Sequence, residues 1–334
     1  GNGQSLQTYA YDATGNRVSK TDGAAVTSYG YANGSHRLDA VGGQPRGYDA
    51  AGNTVYIGNG GASGGAGGGD DEYVPPDPGH PGPGEPVPGE PALAGMSVGG
   101  SFAGTAPANA TAAPALREFV YNAANRLSEV RNDGASAMRY RYNGIGEQVL
   151  KFNGSQRIVT VYDEAGRWIG DYDSATGDPI QQAIWLHDLP VGLLVGSGSN
   201  QTLYYIEPDM LGTPRVVLDP ANSQAVWRWD LTGEAFGDSA PNQDPDGDGQ
   251  SLVLNMRFPG QRYDVASGAN YNYFRDYNSE SGRYLQSDPI GLAGGIASYS
   301  YSHAAPLVMM DNMGLQALPL PGVLPPPVIP SSPG

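Results

Sequence analysis

Tyr11-Asp12-Ala13-Thr14-Gly15-Asn16-Arg17-Val18 is the stretch that decides the fold. It returns as Tyr48-Asp49-Ala50-Ala51-Gly52-Asn53-Thr54-Val55, as Tyr121-Asn122-Ala123-Ala124-Asn125-Arg126-Leu127 and as Tyr162-Asp163-Glu164-Ala165-Gly166-Arg167-Trp168-Ile169. Weaker copies begin at Tyr31 and Tyr142. The leading tyrosines lie 20, 17, 21 and 20 residues apart, with one long interruption. A period of this size signals a repeat architecture in which one small unit stacks on the next. Each copy reads as strand, turn, strand. Thr8-Tyr9-Ala10-Tyr11 alternates, Ala13-Thr14-Gly15-Asn16 turns, and Arg17-Val18-Ser19-Lys20 alternates back. Glycine and asparagine supply the positive φ of a tight turn. A lone hairpin is marginal, so the copies are expected to pair into a sheet.

Composition points the same way. The 334 residues are 39% hydrophobic, enough for one or two domains, but 50 are glycine and 28 are proline, which disfavours long helices. Tyrosines number 21 against 6 phenylalanines, as suits a pleated, half-buried surface with one wet edge. The net charge of -16 repels nucleic-acid phosphates and anionic membranes, so neither is an expected partner. No signal peptide and no run long enough for a membrane span is visible. With no cysteine, disulfide and thiolate chemistry are excluded. The chain opens mid-repeat on Gly1-Asn2-Gly3, without a methionine, as a fragment would.

The expected fold class is all-β: repeat hairpins in a curved or spiralling sheet, with a small mixed segment near the C-terminus. The organisation reads as repeats over 1–57, a Gly/Pro-rich insert over 58–115, repeats again over 116–199, a distinct segment over 200–315 and a Pro-rich tail over 316–334. The insert cannot bury a core and is expected to be disordered. Within the distinct segment, Val226-Trp227-Arg228-Trp229-Asp230 has strand character, and only 296–313 hints at a helix.

That segment carries a specific resemblance. Its motifs are Leu211-Gly212-Thr213-Pro214-Arg215, then Trp227-Arg228-Trp229-Asp230 with Phe236-Gly237, then Arg257-Phe258-Pro259-Gly260-Gln261. They continue with Tyr271-Asn272-Tyr273-Phe274-Arg275-Asp276-Tyr277, Gly282-Arg283-Tyr284-Leu285 and Ser287-Asp288-Pro289-Ile290-Gly291-Leu292. In this order they resemble the Rhs-associated core of bacterial Rhs/YD-repeat proteins, the shells of polymorphic toxins. The resemblance implies a hollow β-sheet shell closed by the core. It also implies a C-terminal toxin held inside, and delivery to the outside or the cell surface by a secretion system or toxin complex. The implied partners are that toxin, other portions of the shell and secretion-system components. It further implies aspartyl-type self-cleavage after a second Asp-Pro-x-Gly-Leu-type motif. Here that motif is Asp311-Asn312-Met313-Gly314-Leu315, with Asn312 where proline is usual, and the implied scissile bond is Leu315–Gln316.

The implied catalytic carboxylates are Asp288 and Asp311, with Arg283 the nearest basic residue in sequence. Two carboxylates held close cannot both ionise; the ionised one activates water and the protonated one polarises the peptide carbonyl. The residues also permit a plainer reading, in which Asp288 before Pro289 and Asp311 with Asn312 and Gly314 simply make turns. The 19 residues after Leu315 are too few for a toxin domain. Alternative functions are a non-enzymatic surface or wall-associated repeat binder, or an inactive orphan core fragment.

Asp244-Pro245-Asp246-Gly247-Asp248-Gly249 resembles the start of a calcium loop, although the twelfth position is Asn255 rather than a bidentate glutamate. Calcium at Asp244, Asp246 and Asp248 is the one cofactor the sequence suggests. His36, His80, His187 and His303 have no metal-site spacing, and no Lys-Ser/Thr follows the glycine run at 60–69 to make a phosphate loop. Trp185, Trp227 and Trp229 are expected to pack within the wall rather than stack on sugars.

Overall fold

A computed structural model describes residues 7–59, 114–230 and 234–319. The insert expected to be disordered and the Pro-rich tail fall almost entirely outside the described residues.

Each repeat turn is built by the side chain that follows the leading tyrosine. Asp12 Oδ1 accepts the N–H groups of Thr14 and Asn16, both at 2.9 Å. Asp49, Asn122, Asn143 and Asp163 do the same for the residue four positions on. The turn then needs a left-handed residue, which Gly15 supplies at φ +85° and Asn125, the side chain best suited to that region, at φ +55°. At each leading tyrosine the strand pairing slips by one residue, as between Val161 and Tyr162.

The tyrosine hydroxyls join the repeats. Tyr31 donates to the carbonyl of Arg17, Tyr121 to that of Thr54, Tyr142 to that of Leu127 and Tyr162 to that of Gln148, at 2.8–3.0 Å. Tyr48 donates to Leu38 at 3.2 Å. In every case the acceptor stands at the start of the previous repeat's outgoing strand. Phenylalanine could fill the space but not make the bond, which accounts for the tyrosine excess.

The strands from Gln7–Tyr11 to Gln224–Arg228 form one 17-stranded antiparallel sheet. Each pairs with the next in sequence, so the wall is a continuous meander that does not close on itself. Thr54–Gly58 pairs directly with Leu116–Tyr121, so the insert leaves and rejoins the wall between adjacent strands. A seventh turn, at Asp209-Met210-Leu211-Gly212-Thr213, has the same aspartate bonding but Pro208 in place of tyrosine.

Against this wall packs a small sheet of Arg262–Asp264, Ala269–Asn272, Arg275–Asn278 and Arg283–Tyr284, followed by a two-stranded pair, Met309–Met310 with Leu318–Pro319. The helical character expected over 296–313 reduces to one 3-10 turn, Ser302–Ala304, and the all-β class holds. The wall contacts this core at several points: Arg17 lies over Phe236, Thr54 N–H donates to Leu285, Tyr299 donates to Gly52, Arg262 of the small sheet pairs with Asp171, and Trp227 of the last wall strand shares a buried cluster with Tyr277 and Tyr284. Trp227 and Trp229 are fully buried there beside Phe258, Tyr277 and Tyr301, as packing residues rather than sugar platforms. Among the described residues no helix is long and apolar enough to cross a membrane.

Asp276 is a titratable cost of this packing. Burial pushes its carboxyl up to about 6, against the opposing hydrogen bond from Gln286 Nε2 at 2.6 Å and the charge of Arg126. A folded value above the unfolded one means that the stabilising contribution is complete below about 3.9 and is lost as pH rises through about 6. Asp276→Asn is therefore expected to raise unfolding free energy at pH 8 by about 1–3 kcal/mol and to change it little at pH 4, as measured by denaturant titration at both pH values.

Candidate active site

Asp288 and Asp311, both buried, meet the Leu315–Gln316 bond where Leu315 is half-buried and Gln316 exposed. Asp311 follows the Met309–Met310 strand, and its chain is pinned where Asn272 Nδ2 donates to the Asp311 carbonyl at 2.9 Å. The loop then turns through Gly314 at φ +67°, where a Cβ would stand 2.5 Å from the Asn272 carbonyl oxygen, so only glycine fits. That turn brings the backbone back over its own aspartate. Asp311 Oδ1 accepts the N–H of Leu315 at 2.9 Å and the N–H of Gln316 at 3.3 Å.

Asp288 stands near the carbonyl of the same bond. A Cβ at Gly294 would lie 2.3 Å from Asp288 Oδ2 and 3.1 Å from the Leu315 carbonyl oxygen, so those two oxygens crowd the same point. The N–H of Ile290 donates to Asp288 Oδ1 at 3.0 Å.

The cation between the carboxylates is Arg275. Its Nη2 is 2.9 Å from Asp288 Oδ2 and 3.4 Å from Asp311 Oδ2, and all three side chains are at least 96% buried. Its Nε donates to the Gly314 carbonyl at 2.5 Å and its Nη1 to the Ser298 carbonyl at 3.1 Å. Tyr284 adds a hydroxyl donor to Asp311 Oδ2 at 2.8 Å, and burial beside Asp311 raises that phenol well above its ordinary value. Burial raises the Asp288 carboxyl as well; Arg275 works against this and Asp311 adds to it.

Arg283, the expected cation, is elsewhere. Its guanidinium donates to the His36 carbonyl and lies over Tyr31 and Tyr299, 5.0 and 5.2 Å from the ring centroids. Strand alternation is the reason. Arg283 and Tyr284 are neighbours on one strand and point to opposite faces. Tyr284, opposite Tyr277, shares the face of Arg275, which leaves Arg283 on the wall side. Arg275 sits inside a quoted motif, but its 36-residue separation from Asp311 carries no signal of contact.

The three acids of the 244–249 loop do converge, with ligand oxygens within 4.8 Å of one another. They offer three carboxylates, and a calcium ion would need further oxygens from backbone and water to reach its usual six to eight.

Comparison with known proteins bears on both fold and sequence. The crystal structure of TcdB2-TccC3-TEV aligns with 92% of this chain and 13% of its own at a TM-score of 0.52 and 17% identity, which speaks for the fold. The probable deoxyribonuclease RhsA of Dickeya dadantii (strain 3937) is 26% identical over 219 residues, 62% of this chain and 14% of the relative. The toxin protein Tse5 of Pseudomonas aeruginosa is 35% identical over 111 residues, 33% of this chain and 8% of the relative. In sequence and in fold the chain is similar to Rhs-repeat proteins. No family model matches it. The chain spans no more than 14% of the length of these two curated relatives, so the activities in their names belong to much longer proteins.

Proposed function

We propose that this chain is a segment of a toxin-delivery shell whose core cuts its own Leu315–Gln316 bond and so releases a C-terminal effector. The observation that carries the reading is the seat of Asp311 Oδ1 on the N–H of Gln316, the nitrogen of that bond, and on the N–H of Leu315 just before it. Asp288, with its raised carboxyl, holds the proton and polarises the Leu315 carbonyl. Asp311, an acceptor in its amide contacts, takes a proton from the attacking water. The water oxygen bonds to the Leu315 carbonyl carbon, the C–N bond breaks, and the Gln316 nitrogen leaves with that proton. The products are a Leu315 carboxylate and a Gln316 amine. Arg275 and Tyr284 keep the paired carboxyl groups in place and offset their charge.

In this reading residues 200–315 are the cutting core, and the partners are the effector, the rest of the shell and a secretion system that carries them out of the cell. The edge strand Gln7–Tyr11 is where other shell portions would continue the sheet; the other edge, Gln224–Arg228, is partly covered by the bridge from Arg228 to Asn242. The test is the purified chain with a reporter domain fused after Gly334. Spontaneous release of a fragment whose first residue is Gln316 supports the reading; an uncut fusion contradicts it.

Calcium at Asp244, Asp246 and Asp248 is a separate proposal. Calcium at about 5 mM is expected to stabilise the chain by about 1–2 kcal/mol, and Asp246→Asn to remove the gain, as read from melting curves.

A further inference from the structure

A cavity of about 220 Å³ lies between the wall turns at Gly166 and Gly212 and the core stretch Met256–Arg262, with Asn312 and Met313 also on its lining. It is far larger than the roughly 10–15 Å³ a single water needs and smaller than the roughly 300 Å³ of a drug-sized pocket, so its natural occupant is about the size of one amino acid.

Its polar groups are unevenly satisfied. Arg167 is paired with Asp163 at 2.6 Å and Arg262 with Asp171 at 2.5 Å. Arg257, also on the lining, has no carboxylate within ion-pair distance among the described residues; its Nη1 is engaged by the Leu254 and Met256 carbonyls, both at 2.8 Å. Burial pushes this guanidinium down to about 10, with Tyr263 opposing. Gln261 is 2% exposed, and neither its Nε2 nor its Oε1 has a hydrogen-bond partner. A buried amide with both atoms unpaired is uncommon and costly. The rest of the lining is rich in rings: Trp168, Trp185, Tyr271 and Tyr273. The Trp185 indole N–H is already donated to the Trp168 carbonyl, and the Tyr271 hydroxyl already accepts from Gln148, so these two offer mainly ring surface.

We propose that this cavity binds an apolar or aromatic amino acid with a free α-carboxylate and an acylated nitrogen. The Gln261 amide, a donor beside an acceptor, matches the ligand's peptide group. Arg257 matches the carboxylate, and the rings hold the side chain. The same chemistry is found in a free N-acyl amino acid and in the last residue of a polypeptide. The inference stands apart from cleavage at Leu315.

The test is calorimetric titration of the intact chain with N-acetyl-L-phenylalanine. Saturable binding is expected, weakened about tenfold or more in N-acetyl-L-phenylalaninamide, which lacks the carboxylate, and in the Gln261→Leu variant. That variant removes both unpaired atoms without adding a polar group, so it should fold at least as well. N-acetyl-Gly-Gly-Phe separates the sources: equal affinity assigns the cavity to chain ends, and exclusion of the tripeptide assigns it to free acylated amino acids. Absence of saturation, equal binding of acid and amide, or unchanged binding to Gln261→Leu overturns the proposal.

Discussion

Asp288→Asn and Asp311→Asn, each made in a chain extended past Gly334, are expected to slow release of the downstream fragment by about 10²–10⁴-fold while leaving the protein folded. Asparagine keeps the oxygen that accepts from Ile290 at position 288 and the one that accepts from Leu315 and Gln316 at position 311. What it removes is the titrating proton, together with the charge that faces Arg275. The variants therefore separate chemistry from turn-making, the plainer role both aspartates could serve. The pH profile adds a second check. The Asp288 carboxyl is raised by burial, against Arg275 and with Asp311. Its protonated form is the competent one, so the cutting rate should fall as pH rises through that raised value. The same shift has a stability sign: the favourable contribution is full below the unfolded carboxylate value and lost as pH rises through the folded one. Against that gain stands the loss of the Arg275 ion pair at 2.9 Å, so denaturant unfolding of Asp288→Asn accompanies the cutting assay. A variant that unfolds instead would make Asp288 a structural residue.

Arg275→Met should be the most damaging single change in the core. It takes away the guanidinium that now stands 2.9 and 3.4 Å from two buried carboxyl groups, and it leaves the Gly314 carbonyl without the Arg275 donor. Removing one partner of a buried ion pair costs about 3–5 kcal/mol, since the charge left behind is neither solvated nor matched. Denaturant unfolding should show that loss, and release of the downstream fragment should stop. Arg275→Lys restores a charge but not the planar fork that reaches both carboxylates and both carbonyls at once. It should recover part of the stability and little of the cutting. Arg283→Met, by contrast, should leave cutting intact, because Arg283 faces Tyr31 and Tyr299 on the wall side.

The wall was legible because its period is written in short-range chemistry. A tyrosine, an Asp or Asn to close the turn, and a left-handed Gly or Asn recur within a few residues of one another. The turn at Asp209 escaped that reading because Pro208 stands where the tyrosine should, although the aspartate bonding is the same. The candidate site was half legible. Asp288, Asp311 and the Leu315–Gln316 bond could be named only through motifs that resemble the Rhs-associated core. Their meeting could not, because Gly314 and the Asn272 contacts that fold the loop back are long-range. Arg275 was hidden for the same reason, and Arg283 was favoured by closeness in sequence, which strand alternation then undid. The cavity beside Gln261 left no trace in the sequence at all.

The most direct test of the account is the intact mass of the purified extended chain, recorded over time with no protease added. The account predicts an N-terminal product ending at Leu315 and a complementary fragment beginning at Gln316, both missing in Asp288→Asn and Asp311→Asn. A chain that stays whole, or a cut at Leu315 that persists in both variants, would contradict it.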